Sequence, residues 1–375
     1  MLRFLTAGES HGPCLTAIIE GLPAGLPLSA QEINCDLARR QGGYGRGERQ
    51  KIEHDQVEIL GGLIKGLTIG APLSMSIANR DWGHWREREV PPWTKPRPGH
   101  ADLPGSIKYA LRDLRPVAER ASARETAARV AVGAVAKILL HAAHIVIGSY
   151  VEAIGPARAD LVQMPLEERL ARAATSDVSC PDANAAVLMR ERIDAARAAG
   201  DSLGGIFAVV ALGAPVGLGS HVHWDRRLDG RLAQAVMSIQ GVKGLEIGPA
   251  FENATLPGTQ VHDALYPGEP RPLRRTNRAG GLEGGMSNGE PILMRAAMKP
   301  IPTTITPLPT VDLATGAAAS TQYQRSDVCA VPAAAVVGEA MVAWVLAEAL
   351  LERYGGDDLN SLLQRIADDP QKWTA

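Results

Sequence analysis

The stretch from Pro332 to Leu350 is the most apolar in the chain, broken only by Gly338, Glu339 and Glu348. A bilayer-spanning helix needs about 20 predominantly apolar residues with few or no charges. The two glutamates make this run a buried core helix instead, expected over Ala333 to Tyr354. With 375 residues and 45% hydrophobic content the chain can bury at least one sizeable core, as one large domain or two. No serine-rich or proline-rich linker and no fixed-period repeat marks a boundary.

Ser29-Ala-Gln-Glu32 has capping-box spacing, with a hydroxyl for an orphan backbone amide and a carboxylate reaching back, so a helix is expected from Ala30 to Gln41. Gly42, Gly43, Gly45 and Gly47 then stop it and open a loop. Apolar periodicity predicts further helices at 119–143, 166–174, 185–199, 226–238 and 359–367. Short β-branched or alternating segments at 15–20, 57–60, 73–77, 145–151, 206–212 and 292–298 read as strands. The mixture is α/β or α+β.

Charge narrows the partners. With 39 basic against 41 acidic residues the formal charge is −2, so no general attraction to nucleic acid or anionic membrane exists. Aromatic residues make up 4%, too few for a base-stacking surface. Any anion site must be a local cluster. Cys14, Cys35, Cys180 and Cys329 show neither disulfide nor zinc spacing and read as free thiols of a reducing cytoplasm. The short apolar run before Gly8 is not a signal peptide, and no metal site is expected.

Six segments could carry chemistry. Gly8-Glu9-Ser10-His11-Gly12 and Arg97-Pro98-Gly99-His100-Ala101-Asp102 each frame a histidine, which changes charge near neutral pH, in a glycine-containing loop. Either could equally be a loop histidine bonded to backbone. Arg39 to Arg49 puts four guanidinium groups around the glycine-rich GYGRG loop, suited to a phosphate or carboxylate, or else to a solvated surface paired with Glu48, Glu53 and Asp55. That loop matches neither dinucleotide nor P-loop glycine patterns. Glu119 to Thr126 offers a phosphate seat or ordinary helix capping. Lys299-Pro-Ile-Pro-Thr303 is a stiff extended edge, and Arg325-Ser-Asp327 places acid beside base. These residues alone stop at a cytosolic anion-binding enzyme, with a non-catalytic nucleotide binder and a flavin-dependent NADPH oxidoreductase as rivals.

Taken in order, GESHG, RRQGGYGRG, RPGHAD, RASARET, SIQGVKGLEIG, GGMSNG, KPIPT and RSDVCAVPAA resemble the chorismate synthase family from Gly8 to about Ala335. The resemblance implies one domain over 1–375, a β-α-β sandwich of antiparallel sheets layered with helices, and a homotetramer. It implies phosphate elimination from 5-enolpyruvylshikimate 3-phosphate with reduced FMN, and NADPH as a possible reductant. It assigns His11 to the departing phosphate, His100 to protonating reduced flavin and Asp327 to removing the ring proton. FMN contacts fall on Arg120, Ala121, Ser122, Gln240, Gly241, Gly284, Lys299, Pro300, Ile301, Pro302, Thr303 and Arg325, and phosphate or NADP contacts on Arg40 and Arg46. Ala121, Gly241 and Asn288 depart from the family pattern; Ala121 in particular lacks a hydroxyl to offer the flavin.

Overall fold

Residues 1–47, 54–269, 271–324 and 326–369 are described by a computed structural model. Strands Arg3–Ala7 (β1), Cys14–Glu20 (β2), Val57–Gly61 (β3) and Leu73–Ala78 (β4) form an antiparallel sheet in the order β1-β2-β4-β3. On its inner face Leu15 pairs with Ile77, Ala17 with Met75 and Ile19 with Leu73, all buried. This is the alternation of a strand with one covered face. A second antiparallel sheet runs Val242–Ile247 (β8), Ile292–Met298 (β9), Gly205–Leu212 (β7), Val146–Ile154 (β5) and Ala157–Arg158 (β6) across its width. Its central strand, GIFAVVAL, is apolar without alternation because both faces are covered. Phe207 and Val209 join the main core, while Ala208 and Val210 pack with Tyr150 beneath Leu170 of the helix Leu166–Ala174.

Between the sheets lie Ala30–Gln41 (α1), Thr126–Ala142 (α4) and Val331–Tyr354 (α8). The capping box forms as expected: Ser29 accepts from the Glu32 amide, and Glu32 accepts from the Ser29 amide. The apolar run is the central helix α8, long and apolar enough to cross a membrane yet 89% buried in the protein over its most apolar window. The three residues that interrupt it have partners. A Cβ added to Gly338 would lie 2.8 Å from Phe207 of the second sheet, so glycine there lets helix and sheet approach. Likewise a Cβ on Gly133 of α4 would lie 2.2 Å from that of Ala340. Toward the first sheet, Trp344 meets Phe4 edge-on with ring centroids 4.7 Å apart. Glu348 pairs with Arg231 at 2.9 Å.

Glu339, 1% exposed, accepts from both Arg39 Nη atoms (2.7 and 2.6 Å), Lys137 Nζ (2.8 Å) and Ser149 Oγ (2.6 Å), tying α1, α4, α8 and β5 together. Burial pushes its carboxyl up, but the charges and hydrogen bonds of Lys137 and Arg39 outweigh burial and hold it near 2. A depressed carboxyl contributes stability above its ordinary value of 4.5 and loses it as pH falls toward 2. Glu339→Gln, which leaves buried cations short of a partner, is expected to cost about 3–5 kcal/mol at neutral pH. It should also flatten the fall in melting temperature between those two pH values. Calorimetry across that range checks it, and an unchanged acid slope would refute the pairing.

One predicted helix is corrected. The segment 119–143 is not continuous: it divides into Arg115–Ala121 (α3), a 3-10 turn at Ala123–Glu125, and α4. Ser122 breaks it with an extended backbone (φ −61°, ψ 141°), and its hydroxyl satisfies the Arg124 amide, which a continuous helix would otherwise bond. The break turns the side chains of Arg124 and Glu125 into the interior. Strands β1 and β8 and the helix Asp102–Lys108 (α2) were not expected from sequence.

Candidate active site

Both framed histidines are held by carboxylates. Glu119, on α3, accepts from the His11 backbone amide (2.6 Å) and faces His11 Nδ1 (2.7 Å), while Trp85 lies tilted against the ring with centroids 4.5 Å apart. His100 Nδ1 lies 2.5 Å from Asp102 Oδ1. Asp102 also accepts from Arg97 Nε (2.8 Å), Nη2 (2.9 Å) and backbone amide (3.0 Å). Burial would raise the Asp102 carboxyl, but the His100 and Arg97 bonds outweigh it and hold the group well below the usual carboxylate range. A carboxylate can only accept, so the Glu119 contact places a proton on His11 Nδ1; at His100, Arg97 Nη2 also lies 3.0 Å from Nδ1 and 3.4 Å from Nε2.

The basic loop folds inward rather than facing solvent. Arg40, 5% exposed, donates to Thr126 Oγ1 (2.9 Å), the Ala123 carbonyl (3.0 Å) and Asp55 Oδ2 (3.3 Å). Burial, helped by Arg46 and Arg124, lowers its pKa to about 10 against the pull of Asp55, so it stays charged at neutral pH. Arg124 donates to the other Asp55 oxygen (2.6 Å) and to Asn79 Oδ1 (2.9 Å), and Asn79 donates to the carbonyls of Glu9 and Gly12. The arginine cluster is thereby tied to the His11 loop. Arg124 Nη2 is buried with no hydrogen-bond partner, an unusual state for a cationic donor and suited to an incoming oxyanion.

Asp327 is paired across the chain: Arg46 Nη1 donates to one oxygen and the Gly47 amide to the other, both at 2.6 Å. Arg325, Glu48, Arg49 and Glu53 lie outside the described residues. Around this pair, Val328 donates to the Gly45 carbonyl and Leu203 to the Val328 carbonyl, and Ser202 Oγ reaches the Ile301 carbonyl (2.7 Å). The KPIPT edge in turn meets the His100 turn, since Lys299 Nζ donates to the Gly99 carbonyl.

Lys299 N also donates to the Gly241 carbonyl (2.9 Å), and Gln240 Nε2 donates to Glu125 Oε1 (2.7 Å), next to Arg124 in sequence. Gln240 Oε1 is a buried acceptor with no partner. Arg120 donates to the Gly8 and Thr6 carbonyls, Ser122 Oγ to Ser10 Oγ (3.2 Å), and Ala121 ends α3 beside them. Pro300, Pro302 and Thr303 lie along the same edge; Gly99 approaches closely enough that an added Cβ would sit 3.5 Å from Pro302. The segments from His11 to Asp327 thus form one connected assembly. Gly284 stands apart on the hairpin Leu282–Ser287, with φ +59° and the Met286 side chain 4.0 Å from where a Cβ would lie. No group of three or more metal-ligating side chains gathers among the described residues.

Asn79 is the member that sequence reasoning passed over, since it carries no motif. Glu119 and Arg124 lie in the segment 119–126 that reads as a phosphate seat or as helix capping, without an assigned role. Asp55, which one of the two readings of the arginine loop placed in solvated pairing, is a buried hub with no side-chain exposure.

Residues 2–351 match the family model described as chorismate synthase. The chain is 54% identical over 387 residues to the chorismate synthase of Desulforamulus reducens, covering 100% of this chain and 99% of that protein. To that of Moorella thermoacetica it is 56% identical over 376 residues, covering 98% of each. A solved crystal structure of chorismate synthase matches with a TM-score of 0.82 at 46% identity, covering 98% of this chain and 97% of that one.

Proposed function

Because this chain belongs to the chorismate synthase family and carries its activity, we propose the residue assignment by which it eliminates phosphate from 5-enolpyruvylshikimate 3-phosphate to give chorismate. The observation that carries the assignment is the connected assembly of two carboxylate-held imidazoles, a clamped aspartate and buried arginines. The reaction is that of a carbon–oxygen lyase: a ring C–H and a C–O bond break, a double bond forms, and phosphate leaves without net redox change.

The residues fit a flavin. Gln240 Oε1 is a buried acceptor without a hydrogen-bond partner among the described residues and would take a donor from the flavin, and Lys299 and Arg120 would offer cations to its phosphate. With Ala121, Ser122, Gly241, Gly284, the rest of 299–303 and Arg325, they would hold reduced FMN, whose chemistry is a transient loan of electron density to the allylic system. His11, protonated on both ring nitrogens, passes its Nε2 proton to the phosphate oxygen as the C–O bond breaks and is left as the Nδ1–H form. Asp327 takes up the ring proton, and His100 holds a proton against the charge of the reduced cofactor. Arg40, Arg46 and Arg124 set a cationic field for the anionic substrate, strongest where water is excluded. We assign the whole chain to one domain, in the cytoplasm, as a homotetramer without nucleic-acid or membrane partners.

Reduced FMN and substrate mixed with the protein under nitrogen should release stoichiometric phosphate with no net flavin oxidation. Consumption of reduced flavin or NADPH in proportion to product would overturn the assignment in favour of an oxidoreductase. Aerobic turnover with FMN and NADPH alone shows whether the chain reduces its own flavin.

A further inference from the structure

We propose that Glu119 is a positioning residue for His11: its carboxylate holds the proton on Nδ1 in both the neutral and the doubly protonated ring, so that Nε2 is the nitrogen that gains and gives up a proton. This rests on the assignment of His11 as proton donor to the departing phosphate. Glu119 Oε2 takes the His11 backbone amide at 2.6 Å and Oε1 stands 2.7 Å from the ring Nδ1, so one carboxylate grips the main chain and the side chain of one residue. The grip crosses 108 residues of sequence, from α3 to the loop after β1. A second bond holds the same loop to the same residue, the Ser10 amide donating to the Glu119 carbonyl (3.3 Å).

The chemistry requires a carboxylate. His11 presents two donors there, and only a group with two acceptor oxygens and no proton satisfies both. Trp85 closes one face of the ring, so rotation about the side-chain bonds is limited and the Nδ1 partner decides where Nε2 points. Both side chains are about three-quarters buried, with 28% and 24% exposure, so water competes weakly for the bond. Among the described residues, Arg120 turns to the Gly8 and Thr6 carbonyls, and Asp81 accepts from the Trp85 indole.

The test compares Glu119→Gln and Glu119→Asp in the full-length protein. A glutamine offers one acceptor and a competing amide N–H₂, whereas aspartate keeps both oxygens on a shorter stem. Ring nitrogen spectra of histidine labelled with ¹⁵N, recorded at a pH where the ring is neutral and assigned by comparison with His11→Ala, report the tautomer without substrate or flavin. The Nδ1–H signature of His11 should be retained by the parent, partly retained by the aspartate variant and lost in the glutamine variant. In anaerobic single turnover, Glu119→Gln should slow phosphate release about 10- to 100-fold, with substrate and FMN dissociation constants within about threefold of the parent. The aspartate variant should recover part of that rate.

An unchanged His11 tautomer in Glu119→Gln would overturn the proposal and leave Glu119 as a loop anchor, whatever the rate. A changed tautomer with an unchanged rate would overturn it too. Failure of the underlying assignment looks different: His11→Ala itself would release phosphate at the parent rate. If the glutamine variant does not fold, the aspartate variant carries the test, and parental rate and affinity with an altered tautomer there would refute it.

Discussion

Replacing Asp327 by asparagine is expected to slow phosphate release on the order of 10³-fold, the loss typical of a deleted general base. The substitution preserves size. Its two present bonds are from Arg46 Nη1 and the Gly47 amide, and an asparagine has one oxygen for both. Part of any loss could therefore come from loosening the loop around Gly45–Gly47 rather than from removing the base. Arg46→Ala separates the two, because it breaks the same clamp and leaves the carboxylate. It is expected to slow release only about 10- to 100-fold, by misplacing Asp327, and to weaken substrate binding more at low salt than at high salt. The double variant should be about as slow as Asp327→Asn alone, since the residues act as a unit. Equal losses in the two single variants would reduce Asp327 to a clamp. Parental release by Asp327→Asn with normal flavin binding would remove it from the mechanism.

His100→Ala should lower turnover about 10²- to 10³-fold with a melting temperature within about 2 °C of the parent. The asymmetry follows from Asp102. Once the imidazole is gone, that buried carboxylate still has three bonds from Arg97, so no charge is left unpaired. His100, with 15% side-chain exposure, sits in a turn where Gly99 has φ +80°. Single-turnover phosphate release together with calorimetry decides the matter: a large fall in both rate and stability would make His100 a structural residue, and an unchanged rate would remove it from the chemistry.

How much of this was readable beforehand differs by range. Helix α1 was legible to its first and last residue because a capping box is closed between residues three apart and the stop is a glycine next in line. The core helix was legible because an apolar run with two charges has few other uses. The break at Ser122 was not, since a serine amid good helix formers reads as continuation unless the direction of the neighbouring elements is known. Nor was the role of Gly338, which looked like an interruption and is the place where helix and sheet touch.

The site divides the same way. Residue types, glycine frames and the order of motifs were sufficient to identify the family and to single out His11, His100 and Asp327 as candidates. Their partners were not local. Asp327 is bound by Arg46, 281 residues away, and His11 is held by a glutamate 108 residues away in a segment that reads as a phosphate seat or as helix capping. A side chain's own chemistry and its bonds within a few residues are properties of the adjacent chain, so sequence determines them. Which carboxylate meets which imidazole or guanidinium depends on where two sheets and the helices between them bring remote loops, because hydrogen bonds act over about 3 Å of space whatever the separation along the chain.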